Sequence, residues 1–331
     1  MNDDRFRQRR TFTMAGAALA AQAIVPSVAR AQAGYPSKPV RLVVPFPAGG
    51  GADLPARDLA QRLTPLLGQS VIIENRPGAD GAIAASEVKR AAPDGHTIYF
   101  ATASSISYVP VIRKNPGYTL EDFAPITNFV TFAFFLAVHE SLPGKDLKEI
   151  IAHGRANPGK YAYGVASSST IVTMAHVMEQ TKLDMTMVQY KGEAHSLTDL
   201  LTGRIQMMML TPAMLPQVTK DGKCRIVCVM LKDRSPLYPD VPSLVESGVP
   251  LMAVALWGGF VAPAKTPPEI VARLARDLNT AMNDPELKPK LERYGLAISG
   301  ESSPETFGKF LRDQAVSWRK AVEMAKIPIE A

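Results

Sequence analysis

Three consecutive glycines, Gly49-Gly50-Gly51, stand between a β-rich run and a helical stripe. Glycine has no Cβ, so the backbone of such a loop can approach a ligand closely. The helix that follows presents free N–H groups and the positive end of its macrodipole. A carboxylate placed there gains about 0.3–1 kcal/mol from the dipole, and about 2 kcal/mol when partly buried. Phe46, Ala48, Gly49, Gly50, Ala52 and Asp53 are therefore the candidate anion-binding residues of this loop. It lacks the Gly-Lys-Ser/Thr end of a phosphate-binding P-loop, and its contiguous glycines do not match G-x-G-x-x-G. A tight strand-to-helix turn without ligand fits the same residues.

A second polar loop, Ser167-Ser168-Ser169-Thr170, again lies between a strand and a helix. Its hydroxyls and amides could hold the other polar end of a ligand, or simply cap the helix. Thr102, Ser104 and Ser105 follow a further strand and are candidates for the same cleft. None of these serines sits in a G-x-S-x-G nucleophile elbow. The five histidines, at 96, 139, 153, 176 and 195, show no zinc-type spacing with a third ligand. His195 and Asp199 lie four apart, which an exposed helix surface explains equally well. The pattern points to binding rather than catalysis, with no metal and no cofactor expected.

The elements that position these loops follow from periodicity. Val40–Val44 reads as a strand, and a helix should start at Asp53, a good N-cap, and run to Gly68. Ala56, Leu59, Ala60, Leu63, Leu66 and Leu67 form its apolar stripe. Strands are expected at 71–74 and 97–101, with a helix reaching Val88 between them. Strands alternating with helices imply a parallel, doubly wound α/β sheet. The middle repeats the logic: strands at 132–138, 161–165, 187–190, 205–210 and 225–230, with helices at 147–155, 172–180 and 197–201. Ile270, Leu274, Leu278 and Met282 mark one late helix, and Ser303-Pro304 opens another. These last helices have no evident strand partners and should pack back on the first unit. The expected organisation is a first domain of 34–130 plus 254–331 and an inserted second domain of 131–253, with ligand in the cleft between them. The crossovers near Asn128–Thr131 and Val254–Trp257 would form the hinge.

Residues 1–33 read as a cleaved export signal: four arginines, an Ala-rich apolar stretch, then Ala31-Gln32-Ala33. Arg9-Arg10 also fits twin-arginine export, so a periplasmic location is expected. The chain's net charge is +6, but residues 1–33 hold five Arg and two Asp; the remainder has 32 basic and 29 acidic residues, a net +3. That balance argues against a nucleic-acid surface. Cys224 and Cys228 fall on one expected strand with sulfurs about 13 Å apart, beyond disulfide reach. They are expected as core thiols on one face.

Several segments together are similar to a known family. Val44-Pro45-Phe46-Pro47-Ala48-Gly49-Gly50-Gly51-Ala52-Asp53, Glu74-Asn75-Arg76-Pro77-Gly78-Ala79 and Ala92-Pro93-Asp94-Gly95 resemble the tripartite tricarboxylate transporter receptors, the Bug-type periplasmic solute-binding proteins. So do Tyr190-Lys191-Gly192 with Asp199–Gly203, Arg234-Ser235-Pro236 with Pro239–Ser243, and Trp257-Gly258 with Ala262–Pro267. The resemblance spans the chain beyond the signal. It implies a two-lobed periplasmic-binding-protein fold (Venus flytrap, type II-like), a monomer, and a small carboxylate ligand: a dicarboxylate, tricarboxylate or aromatic acid. It also implies membrane permease subunits, or a sensor-kinase ectodomain, as partners; a secreted hydrolase is the remaining alternative. By position, Ser167, Ser168, Ser169 and Thr170 form the second-lobe loop, joined by Tyr190 and Thr211 from the middle segments. Two departures bear on the ligand. Ser169 and Thr173 stand where the family has a Gly-rich loop and commonly a His, and Leu210-Thr211 replaces a segment that usually holds an Asp. Loss of that acid from the cleft argues against an α-amino ligand, because an ammonium group requires a carboxylate partner.

Overall fold

The structure, a computed structural model, describes residues 34–49, 51–190, 192–252, 254–300, 302–325, 327 and 329. The expected export signal lies outside the described residues. Lys38–Ala331 form one compact unit.

Eleven strands among the described residues form two sheets. The first part of the chain runs β1 (Val40–Val44), α1 (Asp53–Leu67), β2 (Val71–Asn75), α2 (Ala82–Lys89), β3 (Thr97–Thr102), a π-helical turn (Ala103–Tyr108), α3 (Val109–Ile112) and β4 (Phe123–Phe132). The middle part runs β5 (Phe135–His139), α4 (Leu147–Arg155), β6 (Ala162–Val165), α5 (Ser168–Thr181), β7 (Thr186–Gln189), α6 (Glu193–Leu201), β8 (Met207–Leu210), α7 (Leu215–Thr219) and β9 (Cys224–Val229). The chain ends with β10 (Trp257–Pro263), α8 (Pro268–Met282), α9 (Leu287–Arg293), β11 (Leu296–Ile298) and α10 (Pro304–Met324).

The six-stranded sheet has the order β11-β4-β10-β3-β1-β2, and the five-stranded sheet has the order β7-β6-β8-β5-β9. Neither is purely parallel. β1 pairs in parallel with β2 and β3, but β10 runs antiparallel to both β3 and β4, and β11 antiparallel to β4. In the second sheet β6 is parallel to β7 and β8, whereas β5 is antiparallel to β8 and β9. The parallel βαβ units are the ones that alternation in the sequence reveals. The antiparallel strands arrive from distant parts of the chain. The C-terminal helices thus do have strand partners, β10 and β11, correcting the reading that left them without any.

The chain crosses between sheets twice. Ala133 and Phe134 separate β4 from β5, so the single strand expected at 132–138 is two strands in two sheets. Asn128–Thr131 lies inside β4 rather than at the crossing. The return runs from Met230 to Leu256. The two passages are tied by Phe132 N–H to Leu256 O (2.7 Å) and Met230 N–H to Phe134 O (2.8 Å).

Helix ends follow local chemistry. Gly68 closes α1 in the left-handed region (φ 69°), as its place after the stripe predicts. Ser303 caps α10 by accepting from Thr306 N–H at 3.1 Å. Asp53, expected as an N-cap, is the first residue of α1 and makes no capping bond. Its carboxylate instead accepts from the loop that precedes the helix.

Cys224 and Cys228 are both free and buried. They do not share a face. The register of β9 against β5 shifts between Leu136 and Ala137, a β-bulge that puts Val227 and Cys228 in succession on one side. Cys224 lies in the core on the other side of the sheet. A bulge adds one residue and inverts the alternation beyond it, which a period-two reading cannot foresee. Burial pushes the Cys224 thiol up to about 11 and the Cys228 thiol up to about 12. Thiolate is the reactive form. Ellman's reagent is therefore expected to leave both thiols unmodified in the native protein at about pH 8 and to titrate both once the chain is unfolded in guanidinium chloride. Rapid native modification of either would contradict this packing.

Candidate functional site

The parallel strands of both sheets point their carboxyl ends at one cavity of about 320 Å³. Such ends are where α/β sheets bind ligands, because the following loop and helix N-terminus supply free amides. The loop after β1 contributes Phe46, Pro47, Gly51 and Ala52, and the end of β3 contributes Thr102, Ala103 and Ser104. From the other sheet come Ala166 and Ser167–Thr170 after β6, with Met209 and Thr211 around the end of β8. Phe132, Phe134, Leu256 and Trp257, at the two crossings, form an apolar wall.

The structure thus brings Phe46, Ala52, Thr102, Ser104, Ser167, Ser168, Ser169, Thr170 and Thr211 to one cavity. Ala48, Gly49, Asp53 and Tyr190 lie off its wall, and Gly50 is outside the described residues. Ser105, beneath the wall, bonds back to Thr102.

Asp53 and Gly49 act on the loop rather than in the cavity. Asp53 is buried, and its carboxylate accepts from Gly49 N–H (2.8 Å), Arg57 Nε (2.8 Å) and Asn75 Nδ2 (2.8 Å). Asn75 Nδ2 also donates to Phe46 O at 2.9 Å, joining the end of β2 to the loop after β1. The Glu74-Asn75-Arg76 segment continues outward as an ion-pair network: Glu74 with Arg41 (2.8 Å) and Arg76 (3.2 Å), and Glu87 with both arginines (2.9 Å each). Gly81 closes the turn beside it. At φ 92° a Cβ there would lie 2.7 Å from Ser105 Cβ and 3.0 Å from Pro45 Cβ, so only glycine fits.

The second loop is built as a capping box. Ser167 Oγ accepts from Thr170 N–H at 3.3 Å, and Thr170 Oγ1 accepts from Ser167 N–H at 3.0 Å and Ala166 N–H at 3.0 Å. α5 begins at Ser168, earlier than its apolar periodicity indicates, because Ser and Thr mask a first turn. The amides of Ser168 and Ser169 precede any intrahelical acceptor and stand at the cavity wall. Ser168 Oγ is buried without a hydrogen-bond partner. The α5 N-terminus thus presents two first-turn amides at the cavity wall.

Tyr190 donates its hydroxyl to Asp199 Oδ2 at 2.8 Å, and Arg204 Nη1 reaches Asp199 Oδ1 at 3.3 Å. Asp199 is thereby engaged on the outer side of α6. Burial and this carboxylate push the Tyr190 phenol up to about 12.

Two acids line the cavity that the motifs did not point to. Asp80 sits in the turn before α2 with φ 54°. Glu193 is the first residue of α6, and its carboxyl accepts from Thr211 N–H and, at 2.9 Å, from Thr211 Oγ1. Burial raises the Glu193 pKa; the two bonds from Thr211 oppose that without cancelling it. The expectation that the cleft has lost its acid is therefore corrected: an acid enters from α6 in place of one after β8. Glu193 escaped notice because α6 starts four residues before its apolar stripe. No Lys, Arg or His is among the described lining residues. Among the described residues there is also no group of three or more His, Cys, Asp or Glu able to hold a metal.

The burial of Asp53 pushes its pKa up, but the bonds from Arg57, Gly49 and Asn75 together outweigh it and hold the pKa below the usual carboxylate value. A depressed native pKa gives stability that is present above the unfolded value of about 3.9 and lost as pH falls through the native one. Asp53→Asn is expected to cost about 1–3 kcal/mol at pH 7 by urea denaturation. The difference from the unaltered protein should shrink steadily below about pH 4. A difference as large in acid as at neutral pH would show that the carboxylate does not hold the loop by charge.

Residues 55–327 match the model of the tripartite tricarboxylate transporter family receptor. The UPF0065 protein in the gbd 5' region of Cupriavidus necator is 36% identical over 295 residues, covering 87% of this chain and 89% of that protein. Among solved structures, the periplasmic binding protein BugD superposes with a TM-score of 0.76 at 30% identity, over 89% of this chain and 99% of that one. An R. palustris protein solved with adipate gives 0.77 at 32% identity, over 89% and 99%. The family match over 55–327, the identity over most of the chain and the superposition on solved members assign this chain to the tripartite tricarboxylate transporter receptors, the Bug-type family of periplasmic solute-binding proteins.

Proposed function

We propose that this chain is exported to the periplasm, captures a small carboxylate in the cavity between its two sheets, and delivers it to the membrane subunits of a tripartite transporter. The observation that carries this reading is the convergence of the β1–α1 loop and the α5 N-terminus on one cavity. An anion bound there is held by amides and hydroxyls, with the α5 dipole behind it. The similar R. palustris protein solved with adipate supports a carboxylate ligand. Residues 1–33 are the export signal on this reading, and the segments 34–130 with 254–331, and 131–253, move as two lobes about the crossings.

On this reading the protein binds its ligand and releases it unchanged. Closure on the ligand follows the usual linkage: a ligand touching both lobes shifts the equilibrium toward the closed form.

The test is a thermal-shift screen of the exported protein against di- and tricarboxylates, amino acids and aromatic acids, each beside its amide. At about 100 times the dissociation constant a ligand adds about 2.7 kcal/mol of stability. A raised melting temperature with an acid and none with its amide is expected. A folded protein unmoved by every acid would sink the carboxylate reading.

A further inference from the structure

The cavity wall has an asymmetry of charge that a plain carboxylate does not match. Its acidic side chains are Asp80 and Glu193, and none of its described residues is basic. Glu193 carries the clearer geometry. Its Oε1 accepts from the Thr211 amide and its Oε2 from the Thr211 hydroxyl at 2.9 Å. Accepting on both oxygens is the pattern of an ionised carboxylate, and each oxygen keeps a further lone pair. The side chain is half-buried, and no Lys, Arg or His among the described residues pairs with it. A carboxylate out of water without a counter-charge is costly, and burial accordingly raises its pKa.

Across the cavity the opposite polarity is built in. The first-turn amides of α5, at Ser168 and Ser169, form a donor edge. One end of the cavity accepts an anion and another accepts a donor or cation. A ligand with a single charge type satisfies only one of them.

We propose that the ligand carries a protonated amine in addition to its carboxylate, and that Glu193, oriented by Thr211, is the specificity-determining residue that binds the amine. This rests on the carboxylate reading above. It reverses the expectation drawn from Leu210-Thr211: the acid is supplied by α6, and Thr211 holds it in place. A charge-assisted bond to an ammonium is stronger than one to a neutral donor, so the discrimination should be large.

The experiment is calorimetric titration with matched pairs: succinate and aspartate, glutarate and glutamate, adipate and 2-aminoadipate, with malate as the hydroxyl analogue. The unaltered protein should bind the amino member of at least one pair more than about tenfold tighter than its des-amino partner. Glu193→Gln should bring that ratio to about one or invert it, and Glu193→Asp, which keeps the charge, should retain part of the preference. Melting curves and circular dichroism of each variant verify the fold. Des-amino acids binding as tightly as their amino partners, or a ratio unmoved by Glu193→Gln, overturns the amine assignment and leaves the carboxylate reading standing. Malate binding as tightly as aspartate also overturns it, in favour of a neutral donor. Binding by none of the acids overturns both readings.

Discussion

A buried carboxylate that lies off the cavity wall ties together the segments around this site. Asp53 gathers Gly49, Arg57 and Asn75 within 2.8 Å each, and Asn75 in turn holds the Phe46 carbonyl. A loop with three glycines has much backbone entropy to lose, and a lone charge in the interior is costly. The two costs offset each other: the loop's amide satisfies the charge, and the charge orders the loop. The cavity wall at Phe46, Gly51 and Ala52 depends on this arrangement.

With the loop held in this way, the described wall offers backbone dipoles and hydroxyls rather than basic side chains. The α5 N-terminus offers amides at fixed positions because the Ser167–Thr170 capping box consumes the amides of Ala166, Ser167 and Thr170. Partial charges of this kind are directional and short-ranged. Phe132, Phe134, Leu256 and Trp257 add apolar surface to the wall, which lowers the local dielectric beside these groups.

Much of the first sheet was legible in the sequence because β1, α1, β2 and α2 follow one another locally, with Gly68 and Pro45 as punctuation. The two loops that meet at the cavity were legible for a related reason. Strand–turn–helix junctions carry both the Gly and Ser composition and the amide geometry. What was not legible was set by distant partners. β10 lies between β3 and β4, and nothing near residue 257 announces it. The bulge in β9 moved Cys228 to the far face without a Gly or Pro to mark it. Glu193 was hidden by its position at a helix start, where a polar residue reads as loop. Its partnership with Thr211 spans eighteen residues and two elements.

The antiparallel insertion of β10 has a consequence for how the chain matures. β3 and β4, made early in synthesis, are not neighbours; each waits for a strand that begins at Trp257. Until that segment arrives both have open edges, and the Phe100–Phe129–Phe260 cluster lacks its third ring. The five-stranded sheet, in contrast, is drawn entirely from 135–229 and can close on its own contacts. Loop-closure entropy favours the local assembly. The cavity, which needs both sheets, cannot be complete until the segment from Trp257 is in place.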